Sequence, residues 1–223
     1  MTKCIQCQTI YIEPFNAKTF YKKASKFCDS CLGLWEKAKL SSENRCQRCL
    51  KRLDINETAC LDCKFLASKF KLMHQLYCNY QYKGIVKQLL HEYKFMKDVA
   101  LAEVLAAQMQ LPKMKYDYVI PIPSSRERDQ ARTFNPVTCV LDHMNVAYES
   151  LLIAKVRPKQ SVLNKLHRVE LTNPFEIVRN IDLENKNVLL VDDIYTTGLT
   201  VHNALATLLI RKIRKFDVFT FAR

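Results

Sequence analysis

Residues 187–200 read NVLLVDDIYTTGLT. Val188, Leu189, Leu190 and Val191 form a continuous apolar run of the kind found in strands covered on both faces. The run ends in two adjacent acids, Asp192 and Asp193, and then breaks into the hydroxyls of Thr196, Thr197 and Thr200 around Gly198. A buried strand has no use for that ending. The text that follows, LTVHNALATLLIRKI, carries a helical pattern, so the hydroxyls and the glycine make the turn from strand into helix. Backbone amides at a helix amino terminus, beside a glycine that lets the chain come close, cradle a phosphate. Two carboxylates next to that cradle accept hydrogen bonds from both hydroxyls of a ribose, or hold magnesium through water. Together they describe a ribose 5-phosphate site. A helix cap by Thr197 accounts for the threonines but leaves the paired acids unexplained. Gly198 is one of only three glycines in the chain.

The flanking text repeats the strand and helix alternation. Residues 115–145 predict a buried strand from Tyr118 to Ile122, a Pro/Ser turn, a basic loop and a helix from about Asn135. A strand over 150–156 (SLLIAKV) precedes a long polar, basic loop, RPKQSVLNKLHRVELTNPF, and FDVFTFAR closes the chain as a strand. Upstream, YKGIVKQLLHEYKF (82–95) reads as an amphipathic helix with its lysines outward, and DVALAEVLAAQMQL (98–111) as a helix ended by Pro112. Apolar strands alternating with helices predict an α/β fold: a parallel sheet flanked by helices, with ligands at the carboxyl ends of the strands.

The chain has 223 residues, is 48% hydrophobic and carries a formal charge of +13. That suffices for one full-sized domain plus a small module, which we place at 71–223 and 1–70. The positive excess suits an anionic partner, although lysine also serves simply to solvate a surface. No run of about eighteen apolar residues and no signal-like amino terminus appears, so a cytoplasmic protein without an integral membrane segment is expected.

Eight of the ten cysteines fall into four CxxC pairs: Cys4/Cys7, Cys28/Cys31, Cys46/Cys49 and Cys60/Cys63. Two such knuckles complete a tetrahedral shell for zinc, whereas four disulfides would not persist in a reducing compartment. Sequential pairing closes the shorter loops and is favoured over a cross-braced arrangement. Some seventy residues with few large apolar side chains need the folding free energy that a metal supplies. Basic and aromatic residues between the knuckles, including Arg45, Arg48, Tyr21 and Trp35, also suit nucleic acid, unless the ribbons only brace the neighbouring domain.

The pattern D-D-x-x-T-T-G-x-T after an apolar run resembles the phosphoribosyl pyrophosphate (PRPP) loop of type I phosphoribosyltransferases. With the four CxxC pairs, with YKGIVKQLLHEYKF and with PIPSSRERDQARTFNP, the whole chain resembles the ComF family of competence proteins. That resemblance implies a type I phosphoribosyltransferase-like sheet behind a double zinc ribbon, in a cytosolic factor, with a peripheral place at the inner face of the membrane. It would help incoming single-stranded DNA during natural transformation, with a competence helicase as partner. By resemblance, Asp192 and Asp193 contact the ribose hydroxyls, and Thr196, Thr197, Gly198 and Thr200 the 5-phosphate. Ser124, Ser125 and Arg126 take the place of the pyrophosphate loop, with Mg²⁺ bridging pyrophosphate and ribose. Arg128, Arg132, Arg157 and Lys159 are candidates for mobile loops or for nucleic acid backbone. Three functions stay open: a competence factor with a PRPP-type site, an active phosphoribosyltransferase, and a non-catalytic PRPP sensor that binds DNA. The chain departs from the family at Thr133, where glycine is expected, at Pro136, where glutamine is expected, and at Leu199, which is larger than the usual residue.

Overall fold

A computed structural model describes residues 1–12, 21, 24–41, 43–54, 57, 60–155, 173–209 and 211–223, with the backbone alone at Arg126 and Arg128. Strand β7 (Asn187–Ile194) lies inside a four-stranded parallel sheet whose order is β3 (Leu76–Tyr80), β8 (Lys215–Ala222), β7 and β4 (Tyr118–Pro121). Its register sets Leu190 beside Val218 on one side and Ile120 on the other. Successive side chains leave opposite faces of a strand. Leu189, Val191, Phe219 and Phe221 therefore enter one core, and Val188, Leu190, Phe216 and Val218 the other. This is why the strands read as unbroken apolar runs: both faces are covered, and each large side chain buried there contributes roughly 1.5–3 kcal/mol.

The first face is covered by α3 (Gly84–His91), α4 (Leu101–Gln108) and α6 (Pro136–His143). The second is covered by α7 (Leu199–Leu209), which buries Val201, Ala204, Leu205 and Leu208. Asn135 caps α6, its side-chain oxygen accepting from the amides of Val137 (3.0 Å) and Thr138 (3.1 Å), with Pro136 preset for the first turn.

Three local readings change. The basic loop after β4 contains a short helix, α5 (Arg126–Arg132), which stops where Thr133 turns left-handed at φ 72°. The strand expected over 150–156 shrinks to β5 (Leu152–Ala154) and leaves the parallel sheet, pairing antiparallel with β6 (Phe175–Ile177). Edge strand β3 arises in text that gave no strand pattern, since LYCNY owes its conformation to β8 alongside it.

The amino-terminal segment wraps that edge. Hairpin β1 (Thr2–Lys3) and β2 (Ile10–Tyr11) with α1 (Asp29–Ala38) bring Cys4, Phe27, Cys31 and Trp35 into the first core, where Trp35 meets Tyr80 edge-on at 4.8 Å. Cys49 and Cys60, the latter just before α2 (Leu61–Ala67), enter the second core. The amide of Leu40 bonds the carbonyl of Asn79 (2.8 Å), and the amide of Leu76 bonds the carbonyl of Arg48 (2.8 Å), so stretches beside each cysteine group cover the open side of β3. An uncovered strand edge is a template for unwanted pairing.

Candidate functional site

At the carboxyl ends of β4 and β7 lies a cleft of about 950 Å³. Asp192, Asp193, Ser124, Ser125 and Thr200 all line it, so acids from one strand face hydroxyls that follow its neighbour. Thr196 and Thr197 are exposed in the turn, and Gly198 is buried beneath it at φ 81°. Thr197 does cap weakly, taking the Leu199 amide at 3.4 Å. Leu199 lines the cleft and is 41% exposed, so its bulk sits at the mouth.

Burial pushes the Asp192 carboxyl well above the ordinary range, the charge of Asp193 adds to the rise, and the Asp193 amide and Lys94 oppose it. Asp192 accepts that amide at 2.9 Å. Asp193 pairs with the Lys94 ammonium at 2.5 Å. Lys69, Lys94, Arg132 and Lys155 set four cations on the described cleft wall against the three carboxylates of Glu127, Asp192 and Asp193. That balance suits a ligand with several phosphate oxygens.

Ser124 donates to Asp129, whose other oxygen accepts from Asn135 at 3.2 Å, so the cap of α6 also holds the hydroxyl loop. Arg132 lies 5.7 Å above the ring of Phe95, which is 61% exposed at the cleft. Arg126 and Arg128 sit on α5 with side chains outside the described residues, as are Arg157 and Lys159 altogether.

Lys94 is the residue that periodicity missed. The helix reading of 82–95 turns its lysines outward, but α3 passes into a π-helical turn, Glu92–Met96. The wider turn leaves Tyr93 fully buried, its hydroxyl donating to the carbonyl of Pro136 (2.9 Å), and brings Lys94 into the cleft with a side chain only 10% exposed. Such turns collect at functional sites. The one sequence clue was the closing K-F of the family segment.

The eight paired cysteines gather as two groups, Cys4, Cys7, Cys28 and Cys31, and Cys46, Cys49, Cys60 and Cys63, each with all four sulfurs within 4.8 Å of one another. The sequential pairing is thus the one adopted. Sulfur separations of 3.6 Å (Cys7 to Cys28), 3.8 Å (Cys46 to Cys63) and 3.5 Å (Cys49 to Cys60) approach the edge of about 3.8 Å that a tetrahedron of zinc–sulfur bonds of about 2.3 Å requires. Both groups could hold zinc. Cys78 and Cys139, outside these groups, are half-buried thiols. No helix among the described residues is long and apolar enough to cross a membrane.

No family model matches the chain. Among solved structures, the allosteric regulatory enzyme of purine biosynthesis superposes with a TM-score of 0.32 at 20% identity, covering 56% of this chain and 25% of that one. A hypoxanthine phosphoribosyltransferase from Staphylococcus aureus superposes at 0.31 and 14% identity, covering 75% and 71%. These superpositions are loose and weigh little beside the sequence relatives. Competence protein ComFC of Bacillus subtilis (strain 168) is 26% identical over 231 aligned positions, covering 99% of this chain and 94% of that one. Competence protein ComFC of Streptococcus pneumoniae (strain ATCC BAA-255 / R6) is 29% identical over 201, covering 89% and 87%. From end to end, then, the chain is similar to the ComFC competence proteins, as its resemblance to the ComF family implies.

Proposed function

We propose that the chain is a ComF-type competence factor that assists incoming single-stranded DNA in natural transformation and holds PRPP in the cleft at the end of β7. One juxtaposition carries the reading. Paired carboxylates close a central strand directly before a glycine turn and look across a cleft lined by cations at the hydroxyls of Ser124 and Ser125. In this reading Asp192 and Asp193 take the ribose diol, and Thr196, Thr197, Gly198 and Thr200 take the 5-phosphate. Ser124, Ser125 and Arg126 take the pyrophosphate. Lys94 joins them, and Arg128, Arg132, Arg157 and Lys159 serve the surrounding loops or DNA. Asp192 and Asp193 are also the residues that would receive the water shell of Mg²⁺, which supplies charge neutralisation for pyrophosphate when bound.

Zinc fills both cysteine groups and contributes folding free energy to a module of residues 1–70 that braces the ligand-binding part, 71–223. The charge of +13 supports a nucleic acid partner, and the names of the relatives support the competence role.

The test is a calorimetric titration of PRPP with and without Mg²⁺, repeated with single-stranded DNA as competitor. Saturable binding that disappears in the Asp192→Asn/Asp193→Asn double variant is expected, and equal affinity in that variant refutes the site. DNA affinity should fall steeply with salt, and a flat response removes the electrostatic part of the proposal. Release of pyrophosphate on adding an acceptor would extend binding to transfer.

A further inference from the structure

We infer that the second cysteine group, acting through Arg223 and Tyr195, positions the turn at 195–198; the consequence for ligand rests on reading that turn as a phosphate cradle. Tyr195 is the last residue before the turn and is 2% exposed. Its ring lies directly beneath Gly198, where a Cβ would come within 2.2 Å of the tyrosine oxygen and 3.2 Å of Leu66, a residue of α2. The same ring shares a core with Cys49 and Cys60. Among the described residues its hydroxyl has no hydrogen-bond partner, so no bond of the hydroxyl fixes the ring.

Arg223 joins the two sides. Its Nε donates to the carbonyl of Cys49 at 2.8 Å, and Nη2 lies 4.0 Å from the Cys49 sulfur. Nη1 donates to the carbonyl of Thr196 at 3.2 Å and reaches that of Tyr195 at 3.5 Å, while the guanidinium lies 5.2 Å over the Tyr195 ring. The backbone of Arg223 is pinned by bonds with Tyr80 (3.1 Å) and Tyr82 (2.9 Å). A trans peptide is planar and points its N–H opposite to its C=O. Drawing the carbonyls of Tyr195 and Thr196 toward the cysteine group therefore turns the amide hydrogens of Thr196 and Thr197 away from it, where among the described residues no acceptor meets them. Arg223 is a positioning residue, and Cys49 is the metal ligand that fixes where it reaches.

The experiment measures hydrogen exchange of the peptide spanning 195–201 in the full chain, together with zinc content and PRPP titration, for wild type, Arg223→Ala and Arg223→Lys. Arg223→Ala should keep both metal ions yet exchange its turn amides about tenfold faster. Its PRPP affinity should fall in proportion to the lost population of the competent turn, also about tenfold. Arg223→Lys, which keeps the charge and one donor, should recover part of both effects. Partial removal of zinc from wild type by a chelator should loosen the same peptide. Unchanged exchange in Arg223→Ala with zinc retained overturns the coupling. If Arg223→Ala does not fold, Arg223→Lys decides alone, and wild-type exchange and affinity in that variant overturn the proposal. Loosened exchange in Arg223→Ala, with a wild type that binds no PRPP, would defeat the phosphate reading and leave the coupling standing.

Discussion

Lys94 and Asp193, side chains from a π-helical turn and from the end of a central strand, meet at 2.5 Å inside one cleft. Each is mostly withdrawn from solvent, with 10% and 21% of the side chain exposed. An ion pair in such a place costs desolvation, and removing one partner leaves the other uncompensated. Lys94 also restrains the rise in the pKa of Asp192.

Lys94→Met keeps the apolar stem and deletes the charge. It should destabilise the protein by about 1–3 kcal/mol at neutral pH. Because part of the penalty is that of an ionised Asp192 left without the cation that opposes its raised pKa, it should shrink as that carboxyl protonates. Urea unfolding at about pH 8 and about pH 5 checks this, and an identical loss at both would argue against the pairing. On the proposed function the same variant weakens PRPP by roughly tenfold to a hundredfold, the range expected for losing one charge-assisted contact.

Asp192→Asn should make the protein more stable and, on the proposed function, weaken its hold on PRPP. The carboxyl has a folded-state pKa raised above the ordinary 3.8. The folded state therefore holds the proton more tightly than the unfolded one, a contribution fully present below about pH 4 and lost as pH rises through the raised value. The amide escapes that loss. Melting temperatures of variant and wild type should coincide near pH 4 and diverge upward, with the variant ahead by on the order of 1 kcal/mol, or about 2–4 °C. A constant gap across pH would show that burial of the charge is not the cause.

Thr133→Gly should stabilise. A β-branched residue sits there at φ 72° and ψ 0°, in the left-handed region that favours glycine, and it ends α5. L-residues incur about 1–2 kcal/mol in that region, so the change should raise the melting temperature by about 2–4 °C per kcal/mol regained. A lower melting temperature would mean that the threonine side chain offsets its own strain. The resemblance to the ComF family leads one to expect glycine here, a residue that tolerates the left-handed backbone Thr133 adopts.

On the proposed function, Cys46→Ser should lose one of two metal equivalents and leave the first group loaded, since the groups share no ligand. Elemental analysis reads this directly. Full zinc retention would contradict the assignment, and loss of both ions would show that the groups fold as one unit.

The sequence made legible what depends on local order. The apolar run of β7, the helix after it and the CxxC pairs announce themselves because burial period and ligand spacing are short-range properties. What stayed hidden depends on partners far along the chain. Strand β3 exists because β8 lies beside it, although Cys78 and its partner Thr220 stand 142 positions apart in the chain. Strand β5 carries the same apolar text as the sheet strands but is claimed by β6 in an antiparallel pair. Lys94 escaped because a π-helical turn shifts the phase of a helix after Tyr93 has been fixed in the core, and no periodic reading anticipates that shift.

The stretches that screen β3 owe their shape to cysteines that, on the proposed reading, ions hold together. Metal starvation would then do more than silence the cleft. It would bare a raw strand, and copies of the chain could zip along it into insoluble assemblies.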